Sequence, residues 1–328
     1  MKNPLRPHRL FRLGGLGKLV AASSFALLMA SQANAKTIEL VVPYAAGGFT
    51  DALARHVADA LSKRIGEPVV VVNKTGAASV VGIRYAIEQG GTDGRTILLG
   101  SLGYITTQFQ RRGAPFDPKA LAPVVLLGAT PSVLYVRASI PAKNYQEFVE
   151  WARKQPSGIS FGTSGVASSP HLNAEDLAAT SGFQILAVPY AGSSASMPAM
   201  AGGHIDAVFE SSGSRALVET GKIKALLVGS DKPLASWPEV PTAEAAGVPG
   251  FRSGSWFGLF LPAQTPASLR KKLNADINAV LTSAELAERF RQMDFNAAGG
   301  TPEAFSKFLE AEKAKLGHLI STRHIHVD

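Results

Sequence analysis

The chain has 328 residues, 33 Lys+Arg against 25 Asp+Glu, 46% hydrophobic residues and no cysteine. That length leaves room for two ordinary domains, and 18% charged residues with a mildly positive mean hydropathy exclude a disordered or fibrous protein. The missing cysteines exclude disulfides, thiolate metal sites, iron–sulfur clusters, thiol catalysis and lipid attachment through cysteine.

The formal net charge of +8 raises nucleic acid or an anionic membrane as partners. Five of the basic residues, Lys2, Arg6, Arg9, Arg12 and Lys18, precede a 12-residue apolar run, Leu19 to Ala30, and then Ala33-Asn34-Ala35. This is the order of a secretory signal peptide, and the run is shorter than the ~20 residues of a spanning helix. Residues 1–35 are therefore expected to be cleaved. The mature chain then carries 28 basic and 25 acidic residues, a net +3. No basic–aromatic array remains, so nucleic acid is not an expected partner. The expectation is an exported, periplasmic protein that is neither membrane-inserted nor a lipoprotein.

In chain order, Ile38 to Val42 predicts a buried strand, followed by the breaker-rich turn Pro43 to Gly48. Leu53, Val57, Leu61 and Ile65 predict a helix with Thr50 or Asp51 as N-cap and Gly66 as its stop. Val69 to Val72 predicts a strand covered on both faces, with a helix near Val80 to Gln89 and a strand at Thr96 to Leu99. The same grammar restarts with strands at Val133 to Val136, Ile159 to Phe161, Ile185 to Pro189, Ile205 to Phe209 and Ile223 to Val228, with helices between them. Ser255 to Leu261 is strand-like, and the last 60 residues predict three helices. This alternation indicates an α/β fold of two lobes, each a mainly parallel sheet flanked by helices. The expected division is 36–132 with 257–328 in lobe one, and 133–256 in lobe two, with hinge crossings near 130–136 and 255–261.

Ligands of open α/β sheets collect where strands lead into helix N-termini. Three such loops are rich in small residues: Tyr44 to Asp51, Gly100 to Tyr104, and Gly162 to His171. Glycine permits close backbone approach, and helix-start N–H groups favour an anion. These loops could hold a carboxylate without any arginine. No nucleophile elbow, Walker A loop, G-x-G-x-x-G or H-E-x-x-H is present. Ser164 and His171 suggest a serine hydrolase as an alternative, but they stand seven apart with no identifiable acid partner. No cofactor or metal site is indicated.

The segment Ile38 to Asp51 (IELVVPYAAGGFTD) with Gly66 to Asn73 resembles the extracytoplasmic solute receptors of tripartite tricarboxylate transporters, also called Bug receptors. The resemblance continues through Asp93-Gly94, Phe161 to Gly165 with His171-Leu172, Val188-Pro189-Tyr190, Gly203 to Asp206, Ser255 to Phe260 and Gly299 to Glu303. It implies a two-lobed periplasmic binding protein, monomeric and not an enzyme. Such a protein closes like a Venus flytrap on an organic carboxylate and delivers it to membrane permease subunits. A receptor of the same fold that reports occupancy to a membrane signalling protein is a further alternative. The resemblance implies contacts from Tyr44, Ala46, Gly47, Gly48, Phe49, Thr50 and Asp51 in the first loop. The second loop would contribute Thr163, Ser164, Gly165, Ser168, Ser169 and His171. It also puts Ser101, Gly103, Tyr190, Gly192, Asp206 and Glu210 near the cleft.

Two departures bear on specificity. Phe49 stands where many relatives have a third glycine, and Ala191-Gly192-Ser193 replaces a Lys-Gly-Gly that would offer a cation to a distal carboxylate. The expected ligand is therefore a monocarboxylate or aromatic carboxylate rather than a tricarboxylate. Asp51 is expected to cap its helix or to orient a water on the ligand.

Overall fold

A computed structural model describes residues 37–110, 113–190 and 193–327; the leader expected at 1–35 lies outside the described residues, as does Gly192. Strand β1 (Ile38–Val42) buries its apolar run and turns through exposed small residues into helix α1 (Phe49–Ile65). Leu53, Val57 and Leu61 form the buried stripe of α1, which stops at Gly66 in the left-handed region, φ 72°. Its N-cap is Gly48, not Thr50 or Asp51. The Asp51 carboxylate is engaged elsewhere, as described below, so the helix starts earlier than the cap-forming residue types suggested.

Next come β2 (Val69–Asn73), α2 (Val80–Gln89), β3 (Thr96–Gly100), the single turn α3 (Gly103–Thr106) and the long β4 (Leu121–Pro131). The second group is β5 (Val133–Arg137), α4 (Tyr145–Ala152), β6 (Ile159–Thr163), α5 (Ser169–Ser181), β7 (Ile185–Pro189), α6 (Ser193–Ala201), β8 (Ala207–Glu210), α7 (Arg215–Glu219) and β9 (Ile223–Val228). The chain closes with β10 (Gly254–Pro262), α8 (Ala267–Leu281), α9 (Ala284–Gln292), β11 (Asn296–Ala297) and α10 (Pro302–Thr322).

The strands form two sheets, ordered β11-β4-β10-β3-β1-β2 and β7-β6-β8-β5-β9. β1 pairs in parallel with β2 and β3, and β6 with β7 and β8, as the strand–helix–strand alternation requires. The sheets are mixed rather than mainly parallel, because β4, β10, β5 and β9 make antiparallel pairs. These are the strands by which the chain passes between lobes, and a strand running out of one lobe meets its neighbours head to tail. β2 is an edge strand with Val70 48% exposed, so its valine run is not covered on both faces. β10 joins the first sheet already at Gly254, where it pairs with Pro131, so its first three residues lie outside the boundary expected at 256/257.

The two crossings are tied to each other. Ser132, the one residue between β4 and β5, donates its N–H to Ser253 O at 3.1 Å and accepts from Gly229 N at 2.9 Å, while Ser253 N donates to Gly229 O at 3.1 Å. A side chain at Gly229 would put its Cβ 2.0 Å from Ser253 Oγ, so only glycine fits this closed ring of backbone bonds. Further contacts join the lobes away from the crossings. Asp294, beyond α9, accepts from the Ser212 and Ser236 hydroxyls and from Ser236 N at 3.0 Å. Arg323, which follows the last residue of α10, pairs with Glu175 of α5 at 2.6 Å, and Lys315 on α10 pairs with Asp176 at 3.2 Å.

Candidate functional site

The loop after β1 and the loop after β6 face each other across a cavity of about 630 Å³. Residues 44–50 line one wall, and Gly162, Thr163, Ser164 and Pro170 line the other with Ser196, Val208, Phe209 and Glu210. A smaller space of about 160 Å³ continues it between Phe49, Thr50, Ser169, Ser255 and Phe257. α1 and α5 both begin at this cavity. Neither has a side-chain cap, which is also true of α2, α3, α7 and α8, while Asn144, Ser283 and Thr301 cap α4, α9 and α10. The first N–H groups of a helix have no intrahelical partner, and the helix dipole is positive there. Two uncapped N-termini from two lobes thus converge on one space, which is the geometry of an anion site.

Asp51, buried in the first turn of α1, shapes the first loop rather than reaching the cavity. Its carboxylate accepts from Arg55 Nε at 2.9 Å and Nη2 at 3.1 Å, from Gly47 N at 3.0 Å and from Asn73 Nδ2 at 3.0 Å. Asn73 Nδ2 also donates to Tyr44 O at 3.0 Å, so both ends of the loop are fixed from one point. Gly47 sits at φ 82°, which lets its N–H turn back to Asp51. The Arg55 guanidinium, helped by the Gly47 and Asn73 donors against the cost of burial, holds the Asp51 carboxyl at about 2. Burial pushes the Tyr44 hydroxyl up, offset in part by hydrogen bonds from Ser79, Ser101 and Gly103 N.

The second loop is fixed from its own helix. Ser168 Oγ donates to Gly165 O at 2.7 Å, and Ala167, in the left-handed region at φ 57°, donates its N–H to His171 Nδ1 at 3.0 Å. His171 Nε2 lies 3.7 Å from Glu175, the residue that Arg323 of the other lobe holds. Burial opposes the charge of Glu175, but hydrogen bonds from His171 and Arg323 bring its pKa below the usual range. Ser255 Oγ reaches Ser169 Oγ at 3.0 Å across the lobes.

The cavity thus draws together Tyr44, Ala46, Gly47, Gly48, Phe49, Thr50, Thr163, Ser164, Ser169 and Glu210. Other predicted residues stand behind it. Ser101 is buried and donates to Trp256 O at 2.7 Å, and Gly103 packs against Ser79. Tyr190 pairs its N–H with Thr163 O at 2.8 Å, while its ring packs into the second lobe. Asp206 is misplaced by the sequence reading. It binds Ser160 N, Ser160 Oγ and Arg137 at the starting end of β6 and β8, about 10 Å along the strands from Thr163 and Glu210. Ser164 lines the cavity, but both ring nitrogens of His171 face other groups, so the pair has no nucleophile–base geometry. Sequence reasoning missed Ser196, Val208 and Phe209. The last two stand on β8, which ends at the cavity, a signal that was available.

Similarity to known proteins agrees with this geometry. The model of the tripartite tricarboxylate transporter family receptor matches residues 53–325. The chain belongs to this receptor family. It is 33% identical over 311 residues to the UPF0065 protein in the tcbD-tcbE intergenic region of Pseudomonas sp. strain P51, covering 94% of this chain and 92% of that one. Among solved structures, Rpa4515 of R. palustris with adipate superposes with a TM-score of 0.80 at 30% identity, covering 89% of this chain and 98% of that one. MatC (Rpa3494) of Rhodopseudomonas palustris with bound malate gives 0.74 at 26% identity, covering 87% and 98%. Of the two departures from the family pattern, Phe49 lies among the described residues, and Ala191-Gly192 does not. Phe49 packs its ring on Phe257 at 5.7 Å and on Phe295 at 6.4 Å, so it forms a fixed wall of the cavity.

Proposed function

We propose that this receptor captures a small monocarboxylate in the cleft between its lobes, in the periplasm, and delivers it to the permease subunits of a tripartite tricarboxylate-type transporter. The carboxylate sits at the N-termini of α1 and α5, and the body of the ligand lies against Phe49, Phe209 and Phe257. The observation that carries the ligand class is the charge of the cavity wall. Among the described lining residues, Glu210 is the one charged side chain, and no lysine, arginine or histidine accompanies it.

Adipate and malate, found with the two R. palustris proteins, each carry two carboxylates. Here a second carboxylate finds like charge and no cation. Two such charges ~6 Å apart at an effective dielectric of ~20 repel by about 2–3 kcal/mol, which outweighs one neutral hydrogen bond. The far end of the ligand is therefore neutral, or a donor such as a hydroxyl that Glu210 accepts. A melting-shift screen of aliphatic and aromatic mono-, di- and tricarboxylates, followed by calorimetry, tests this. Monocarboxylates should bind tightest, and Glu210→Gln should strengthen adipate binding at least tenfold while changing the best monocarboxylate by less than about threefold. Preference of the native protein for di- or tricarboxylates would refute the reading, as would a Glu210→Gln variant that treats both classes alike.

A further inference from the structure

Ala167 sits in the turn that joins the cavity-lining residues Thr163 and Ser164 to the start of α5, yet it is packed into the other lobe. It is 3% exposed and, with Leu172, belongs to an apolar cluster whose remaining buried members, among them Leu102, Tyr104, Trp256 and Phe305, come from lobe one. An alanine methyl enters such a cluster freely. Its backbone N–H does not, because a donor buried without a partner loses its water and gains nothing in return. Ala167 also stands in the left-handed region, φ 57°, which residues with a Cβ rarely adopt, so the turn must be held. His171 holds it: Nδ1 accepts from Ala167 N at 3.0 Å, in a bond that is itself buried.

His171 is the third residue of α5, the place from which a capping-box side chain reaches back to the N–H groups before the helix. It lines neither part of the cavity itself. An N–H donated to Nδ1 leaves the ring proton on Nε2, and Nε2 faces Glu175 Oε1 at 3.7 Å. Glu175 is gripped at 2.6 Å by Arg323 of lobe one. The ring is thus oriented from the same lobe against which the turn is buried. We propose that His171 is a positioning residue for closure. It carries an acceptor along with the ligand loop, so that the turn enters the apolar cluster of lobe one without leaving an unpaired donor. In an open form water satisfies the Ala167 N–H, so loss of the acceptor falls on ligand affinity and not on folding. The role rests on the cleft closing around a ligand, and not on which carboxylate fills it.

Leucine and asparagine branch alike at Cγ, and only asparagine has an acceptor where Nδ1 stands. Both substitutions remove the ring and its contact with Glu175, so the difference between them isolates the bond to Ala167. Calorimetry with benzoate and adipate reads that difference. His171→Leu should weaken whichever of the two binds the native protein more tightly by at least tenfold. His171→Asn should bind the same ligand at least fivefold more tightly than His171→Leu does. The ligand-free melting temperatures of the two variants should agree within a few degrees. Equal affinities in both variants would overturn the proposal, as would a His171→Leu variant that loses ligand-free stability but keeps its affinity. Amide exchange in the native protein needs no variant: the Ala167 N–H should exchange at least tenfold more slowly at saturating ligand. Exchange that ligand leaves unchanged would overturn the proposal even if His171→Leu does not fold. The order of benzoate and adipate on the native protein tests the ligand class separately, and either order leaves the comparison of variants intact.

Discussion

At the scale of single residues, Asp51 organises the cleft without contacting it. Its four donors come from α1, from β2 and from the loop itself, so one carboxylate sets the shape of the loop that lines the cavity. The folded pKa of about 2 lies below the ordinary 3.8, so the stability it contributes is complete above that value and is lost as pH falls toward 2. Arg55 is 56% exposed, which discounts the contribution to about 1–2 kcal/mol. Asp51→Asn should therefore lower stability by that amount at pH 7 and flatten the acid limb of a denaturation series between pH 2 and 5. It should also weaken ligand binding roughly tenfold, because Gly47 is released. Lost stability with unchanged calorimetric affinity would reduce Asp51 to a purely structural role. The sequence named Asp51, but its partners were not legible, since Asn73 sits 22 positions away and meets it only through parallel pairing of β1 with β2. Asp206 shows the converse. A resemblance carries residues to a region, whereas only strand direction says which end of β8 they occupy.

At the scale of elements, the strongly patterned pieces were legible: β1, α1, β3, and the three last helices with their β-sheet neighbours. β4 was not. Pro123 stands inside it and Pro131 at its end, and proline ordinarily argues against a strand, yet β4 is the partner of β10 along its whole length. The cavity-facing helices were foreseen as helices, while their missing caps become meaningful only when both point into one space. α5 does double duty, beginning at the cavity and offering Glu175 and Asp176 to Arg323 at the end of α10 and to Lys315 within it. These two bridges are partly exposed, so each is worth up to about 1 kcal/mol. Removing both by Lys315→Gln and Arg323→Gln should cost ligand affinity roughly fivefold to twentyfold, measured by calorimetry, with the melting temperature of the ligand-free protein shifted by only a few degrees. A large loss of stability without loss of affinity would show that the bridges serve the lobes individually and not their closure.

For the whole molecule, length and the alternation of strands and helices were enough to foresee two α/β lobes, while the sheet order around the crossings depends on long-range pairing that no local pattern encodes. Among the described residues, polar contacts between the lobes away from the crossings include those of Asp294, the serine pair Ser169–Ser255 and the α5–α10 bridges. Their loss in an open form and recovery with ligand should appear in solution scattering as a smaller radius of gyration when a bound carboxylate is present. An identical profile with and without ligand would contradict a closing motion. The ring formed by Ser132, Gly229 and Ser253 limits what that motion can be. Two connections left independent would let the lobes slide, twist and tilt separately. Laced together at one point, they hold the lobes against sliding and leave them rotation about that point. Anything that senses the two faces of this protein from outside then reads a turn and not a displacement.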